Sequence, residues 1–166
     1  ALEYGAGTGL TSFILKDKFK KIIMLDNSDG MLKILNEKII TTGAYNLQAL
    51  NFDLEKNDWT NEKVNLIMTQ MVLHHVADTK SILSKFSRML NPGGFVAIAD
   101  LYPEDGSFHG EGFSGHNGFD PEKLGLILHN NGFTEINYHK CFVINKNTSE
   151  NKIMAFDVFL LTARLL

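Results

Sequence analysis
This chain has almost nothing with which to staple itself covalently. Of its 166 residues one is cysteine, Cys141, so no internal disulfide can form, which suits a reducing cytoplasm. Cys141 itself reads as a small apolar residue of a strand, not as a reactive thiol. Neither charge is in large excess. Sixteen basic against 19 acidic residues give a net −3, too little for an electrostatic footprint toward nucleic acid or an anionic membrane. No apolar run is long enough to cross a bilayer as a helix, no signal-peptide pattern is read, and neither a repeat nor a linker interrupts the chain. These absences exclude a disulfide scaffold, a helical membrane protein and a basic nucleic-acid binder.

What is present is an ordinary globular composition, 44% hydrophobic and 21% charged, on a length that predicts one domain over residues 1–166. Leu2, Glu3 and Tyr4 end a buried strand. Residues 11–18 read as a helix with Leu10, Phe13 and Ile14 on its apolar face. Residues 21–26 form a short strand apolar on both faces, as in a parallel sheet covered by helices. Ser28 is a fitting N-cap for a helix reaching Thr42, with Met31, Leu32, Leu35 and Ile39 at helical spacing and Gly43 closing it. Strands follow at residues 46–51 and 64–69, with Trp59 packing under the loop between them. Ile82, Leu83, Phe86, Met89 and Leu90 form a helical stripe stopped at Asn91-Pro92-Gly93-Gly94, and residues 95–101 are a fifth strand. Asp120, Pro121 and Glu122 open a last helix that Gly132 closes. Residues 134–143 and 153–165 are two final strands, made antiparallel by the short polar turn at residues 145–152. Five β-α units followed by a hairpin describe a doubly wound α/β fold.

The chain is organised around Gly5-Ala6-Gly7-Thr8-Gly9. Three alternate glycines strip one side of this turn of Cβ atoms, so a ligand can meet backbone N–H groups at the start of a helix. A dinucleotide fingerprint would be Gly-x-Gly-x-x-Gly; here the third glycine comes one residue early and Glu3 stands before the turn. That carboxylate disfavours a diphosphate and favours a ligand with a positive end.

Glu3-x-Gly5-x-Gly7-x-Gly9 after a strand resembles motif I of the class I S-adenosylmethionine (SAM)-dependent methyltransferases. Later segments match in order and spacing: the strand-end residues Asp26, Asp53 and Gln70, then Leu73-His74-His75, then Asn91-Pro92-Gly93-Gly94. The resemblance covers the chain from Leu2 onward. It departs at Ala6, where many relatives carry cysteine or another small residue, with no consequence for the reading. It implies a mainly parallel, Rossmann-like sheet of seven strands in the order 3-2-1-4-5-7-6 with a reversed C-terminal strand, and S-adenosyl-L-methionine as cofactor. Because Ala1 falls inside the first strand, the upstream helices that cap the cofactor in the family are expected to be absent here.

In an open parallel sheet, ligands lie beyond the carboxyl ends of the strands. Asp26 there can accept both hydroxyls of a ribose, with Asn27 beside it and Met31 near an adenine face. A helix N-terminal acid and a core methionine are the plainer alternatives. The resemblance gives Asp53 and the Leu54 backbone to the adenine. It gives Glu3, Gly5, Ala6, Gly7 and Gly9, with Gln70 and Met71, to the amino acid end. His74 and His75 resemble a segment of small-molecule and quinone-type methyltransferases. Adjacent residues on a helical start point about 100° apart, so one of the pair is expected to face the pocket. The polar loop 102–119 is long enough to be functional. Within it His116, with Asn117 between Gly115 and Gly118, is a third acceptor or base candidate. His109, Glu111 and His116 could be drawn as metal ligands. Their spacing matches no zinc pattern and methyl transfer from SAM needs no metal, so none is expected.

The expected reaction is transfer of a methyl group from SAM to an oxygen, nitrogen or carbon nucleophile of a small molecule. It requires alignment and exclusion of water, and a general base only when the acceptor arrives protonated. Two rivals are a module that holds SAM without turnover and an NAD(P)-dependent oxidoreductase; the glycine spacing and Glu3 count against the second.

Overall fold
The computed structural model describes residues 1–147 and 152–166. Seven strands form one sheet: β1 (Leu2–Tyr4), β2 (Ile22–Asp26), β3 (Leu47–Asn51), β4 (Val64–Gln70), β5 (Leu90–Leu101), β6 (Phe133–Asn147) and β7 (Ile153–Leu165). Their order is β3-β2-β1-β4-β5-β7-β6, as the sequence resemblance implies. β1 to β5 run parallel, and β7 lies antiparallel between β5 and β6.

Alternation along the strands sends side chains to two layers. On one face, α3 (Thr79–Met89) and α4 (Pro121–Asn130) set Ile82, Phe86, Leu124 and Leu128 against Ile67, Val96, Ile98 and Phe159. Each such side chain, removed fully from water, contributes about 1.5–3 kcal/mol. On the other, α2 (Asp29–Thr42) lays Leu32, Leu35 and Ile39 over Ile22, Met24 and Leu47. Its ends follow the sequence signals: the Ser28 hydroxyl accepts from Met31 N–H, and Gly43 closes the helix in the left-handed conformation. Asp120 caps α4 by accepting from Glu122 N–H. Trp59 packs edge-on against Phe52 at 5.5 Å and donates its indole N–H to the Glu62 carbonyl.

The first helix departs from its expected form. α1 (Leu10–Leu15) ends early, and Lys16–Lys18 continue as a 3-10 turn. Two of its three expected apolar residues also face outward: Leu10 and Ile14 are 62% and 69% exposed, while Phe13 packs half-buried against the α2 layer and Ser12 is fully buried. Glu3 is the cause. Its buried carboxylate accepts from the Ser12 N–H at 3.2 Å and from the Ser12 hydroxyl. A carboxylate at that depth needs those bonds, so the helix is anchored by its polar side.

Three further differences concern β5, β6 and the α2 stripe. The chain passes from α3 directly into β5, because Leu90 already pairs with Val64 and the Asn91–Gly94 turn is absorbed as an irregularity in that ladder. β6 continues to Asn147, into the predicted turn; residues 148–151 of that turn lie outside the described residues. Cys141 lies in a strand as expected but is exposed, because β6 is the sheet's edge and most of its side chains face solvent. Met31 is 39% exposed and does not join the buried α2 stripe.

The layer formed by α1 and α2 covers only part of its face. Beside α1 the sheet stays open, and Leu15, Met68, Ala97, Ala99 and Leu160 border a shallow apolar cavity there. Among the described residues no helix is long and apolar enough to cross a membrane.

Candidate active site
The glycine turn is held at the tips of the parallel strands. Gly5 and Ala6 both donate backbone N–H bonds to the Leu25 carbonyl, at 2.9 and 3.0 Å. Gly7 donates to Asp26 Oδ2 at 2.8 Å, and Asp26 Oδ1 accepts from the Ser28 N–H at 2.9 Å. One carboxylate therefore ties the turn to the entrance of α2. Two of the glycines are required for different reasons. At Gly5 (φ +69°) a Cβ would come within 2.5 Å of Val72, whereas at Gly7 (φ +53°) it would meet nothing within 4 Å. Gly5 admits the segment after β4; Gly7 presents bare backbone to open space.

A crevice opens beside this turn, beyond the ends of β1, β2 and β3, walled by Tyr4, Gly5, Asp26, Asn27, Asp53, Leu54, Val72 and His75. Asp53 Oδ1 accepts from the Glu55 and Lys56 N–H groups at 3.0 and 3.3 Å, and its Oδ2 pairs with Lys56 Nζ at 2.7 Å. The Lys56 ammonium holds the Asp53 carboxyl below its ordinary range. Burial pushes the Tyr4 phenol well above its usual range, and the nearby carboxylates of Glu55, Asp53 and Asp26 push it further. Three acidic groups thus bear on one small crevice, which favours hydroxyl and amino donors and opposes a diphosphate.

The remaining predicted residues divide between this crevice and other tasks. Glu3 faces the opposite way, toward Ser12, and burial raises its pKa against the bonds that Ser12 supplies. Ala6 is buried, Gly9 lies against Leu35 and Phe13, and Met31 is exposed and does not border the crevice. Gln70 Oε1 accepts from the Thr11 hydroxyl at 2.7 Å on the far side of the turn. Met71 follows with φ 55°, a left-handed conformation that costs a residue with a Cβ about 1–2 kcal/mol. Its N–H is held by the Ala99 carbonyl at 2.8 Å. The strained bend turns the chain so that Val72 reaches Gly5.

His74 and His75 lie on a 3-10 turn, Leu73–His75. His75 borders the crevice; His74 is buried beside Asp100, with Nδ1 2.7 Å from Asp100 Oδ1. Asp100 is fully buried and accepts as well from the His74 and Leu101 N–H groups, at 3.4 and 2.8 Å. His116 does not border the crevice. Its Nε2 lies 3.0 Å from the Val76 carbonyl, and its N–H donates to the His74 carbonyl at 2.8 Å, so it pins the long loop down. That loop is packed against the protein, since Phe108 is buried and His109 stacks on Phe113 at 3.9 Å. His109, Glu111 and His116 are not brought together; His109 meets His74 and His75 instead. Burial and the neighbouring His74 depress the basicity of both His75 and His109.

Sequence reasoning passed over Asp100, Tyr4 and Val72. Asp100 had a readable signal, a carboxylate closing an apolar strand as Asp26 does. Val72 had none, because its place depends on the bend at Met71.

The sequence pattern of the methyltransferase domain family matches residues 2–98. The chain belongs to that family. Together with the sheet order, this makes it a class I, SAM-dependent methyltransferase domain. The uncharacterized methyltransferase C1347.09 of Schizosaccharomyces pombe is 28% identical over 139 residues, covering 74% of this chain and 49% of that protein. The chain thus spans about half the length of that curated relative. Among solved structures, YcgJ of Bacillus subtilis superposes with a TM-score of 0.79 at 13% identity, covering 99% of this chain and 90% of that one. The N-methyltransferase NodS of Bradyrhizobium japonicum, solved with S-adenosyl-L-homocysteine, gives 0.74 at 18% identity, covering 99% and 76%. At these identities the likeness is one of fold. The matched methyltransferase region holds the glycine turn, Asp26, Asp53 and both adjacent histidines, and it ends before Asp100 and the loop that carries His109.

Proposed function
We propose that residues 1–166 act as a single domain that transfers a methyl group from SAM to an oxygen, nitrogen or carbon nucleophile of a small molecule in the cytoplasm. The observation that carries this reading is the Asp26 carboxylate, fixed between Gly7 and Ser28 at the mouth of the crevice. Each carboxylate oxygen has two lone pairs and spends one on a backbone N–H, so each keeps one for a ribose hydroxyl. Asp53 stands across the crevice to accept from an adenine amino group, with the buried Leu54 as floor. The bare backbone at Gly7 leaves room for the amino acid end, toward Gln70 and Met71. Glu3, bonded to Ser12, and Met31, which is exposed, do not border the crevice.

When bound, SAM supplies an electrophilic methyl group on a sulfonium, whose departure leaves a neutral thioether. The chain's own part is to hold, align and dry the reacting atoms. Among the described residues His75 is the imidazole that borders the crevice and, in the cation-free protein, the candidate to take an acceptor's proton. His74, locked to Asp100, positions the turn from which His75 projects.

Calorimetric titration with SAM, its demethylated product and NAD tests the cofactor reading. Binding of the first two and not of NAD is the expected result; binding of NAD alone would overturn it. Formation of demethylated product across an acceptor panel then tests turnover.

A further inference from the structure
Two segments far apart in the chain bring three imidazoles together. One ring nitrogen from each of His74, His75 and His109 lies within 4.8 Å of the other two. The Asp100 carboxylate, fully buried and already accepting two backbone N–H bonds, takes Nδ1 of His74 at 2.7 Å. An ionised carboxylate only accepts, so Nδ1 carries the proton and the Nε2 lone pair of His74 is left for another partner. A carboxylate that fixes the far nitrogen is what metal-ligating histidines almost always have behind them. Independently, Nε2 of His109 is buried without a hydrogen-bond partner. A buried group left so costs about 1–3 kcal/mol, a cost that a ligand bound through this nitrogen would relieve.

We infer that His74, His75 and His109 form a binding site for a divalent late-transition cation of the zinc class, with Asp100 as the carboxylate that orients His74. Three imidazoles suit zinc and its neighbours; magnesium and calcium take oxygen ligands. Tetrahedral coordination at 2.0–2.1 Å sets nitrogens about 3.4 Å apart, so from separations within 4.8 Å the cluster closes by up to about 1.4 Å. His74 is fixed by Asp100. The movement falls to His75, which is exposed, and to His109, which rides on the loop stacked against Phe113. The exposed side of His75 is also the entry path and leaves a fourth position for water or an oxygen ligand. Nearby charges act in both directions on His109: Glu104 favours positive charge there, and the Lys146 ammonium, 4.3 Å over the Phe108 ring, opposes it. The buried Asp100 carboxylate adds to the favourable side. Chain spacing could not show this site, because His109 meets the adjacent pair only through the loop after β5.

Zinc chloride titrated calorimetrically into chelator-stripped chain is the test, with cobalt(II) absorption as a probe of geometry. We expect one zinc ion per chain, micromolar or tighter, and a tetrahedral cobalt spectrum. His109→Ala and His109→Gln are each expected to weaken zinc at least tenfold, with far-UV circular dichroism unchanged. Cys141→Ser, on the exposed edge strand, is expected to leave affinity within twofold. No saturable binding, unchanged affinity in either folded His109 variant, or loss of binding in Cys141→Ser would each overturn the site. The readout is the cation alone, so its failure is separable from failure of the methyl-transfer reading.

Discussion
At the scale of single residues, two carboxylates that look alike in sequence do opposite things. Asp26 ends its strand at the crevice mouth and keeps a free lone pair on each oxygen; Glu3 is turned into the protein, where one of its oxygens takes both Ser12 bonds. Asp26→Ala is expected to weaken SAM binding at least tenfold, or roughly 1.4 kcal/mol, by calorimetry. Gly7→Val should do the same, since φ +53° is a conformation that a β-branched residue rarely adopts. Unchanged affinity in a folded Gly7→Val protein would refute the assignment of the turn. Glu3 carries a pH prediction. Burial raises its pKa in the folded state, so the fold favours the protonated form. The stability from this group is full below the ordinary carboxylate range and is lost as pH rises through the raised value. Urea unfolding should therefore show the native protein losing stability relative to Glu3→Gln as pH rises above the ordinary carboxylate range. The acidic residue before the turn was legible in the sequence; the direction of its side chain, set by Ser12, was not.

Among elements, periodicity succeeded where packing decides and failed where a polar anchor does. α3 presents Ile82, Leu83, Phe86 and Met89 to the sheet, all buried at the predicted spacing. In α1 Leu10 and Ile14 of the expected stripe lie outside and only Phe13 packs inward, because the Glu3–Ser12 bonds fix the helix's rotation. The two helices should differ accordingly in chemical denaturation. Phe86→Ala is expected to cost about 3–5 kcal/mol, and Ile14→Ala to change stability by no more than about 0.5 kcal/mol. The Asn91–Gly94 segment teaches a related lesson: proline and glycine end the helix as read, yet pairing of Leu90 with Val64 carries the strand back to the helix's last turn.

For the molecule as a whole, the alternation of strands and helices gave the doubly wound fold and the position of the crevice, and the strand order came from the family resemblance. Ligands in such sheets gather where the strands end, and the glycine turn marked which ends. The loop 102–119 resisted the same treatment. Its residues carry no period, and its place depends on contacts with His74 and Val76 that belong to another segment. Because the cofactor reading involves four strand ends at once, SAM should stabilise the entire fold. At a hundredfold excess over its Kd the gain is about 2.7 kcal/mol, or a rise in Tm of roughly 5–10 °C for a chain of this size. NAD at the same concentration should leave Tm unchanged in differential scanning calorimetry.

The double grip on Asp26, by Gly7 on one oxygen and Ser28 on the other, has a thermodynamic corollary. A flexible acid greeting a nucleoside must surrender rotamer freedom at the moment of association, at about 0.5–1.5 kcal/mol for such a side chain. Here that freedom is relinquished when the polypeptide folds. On the proposed reading a sugar would meet an acceptor already aimed, and the entropic penalty would fall on maturation of the protein instead of on each encounter.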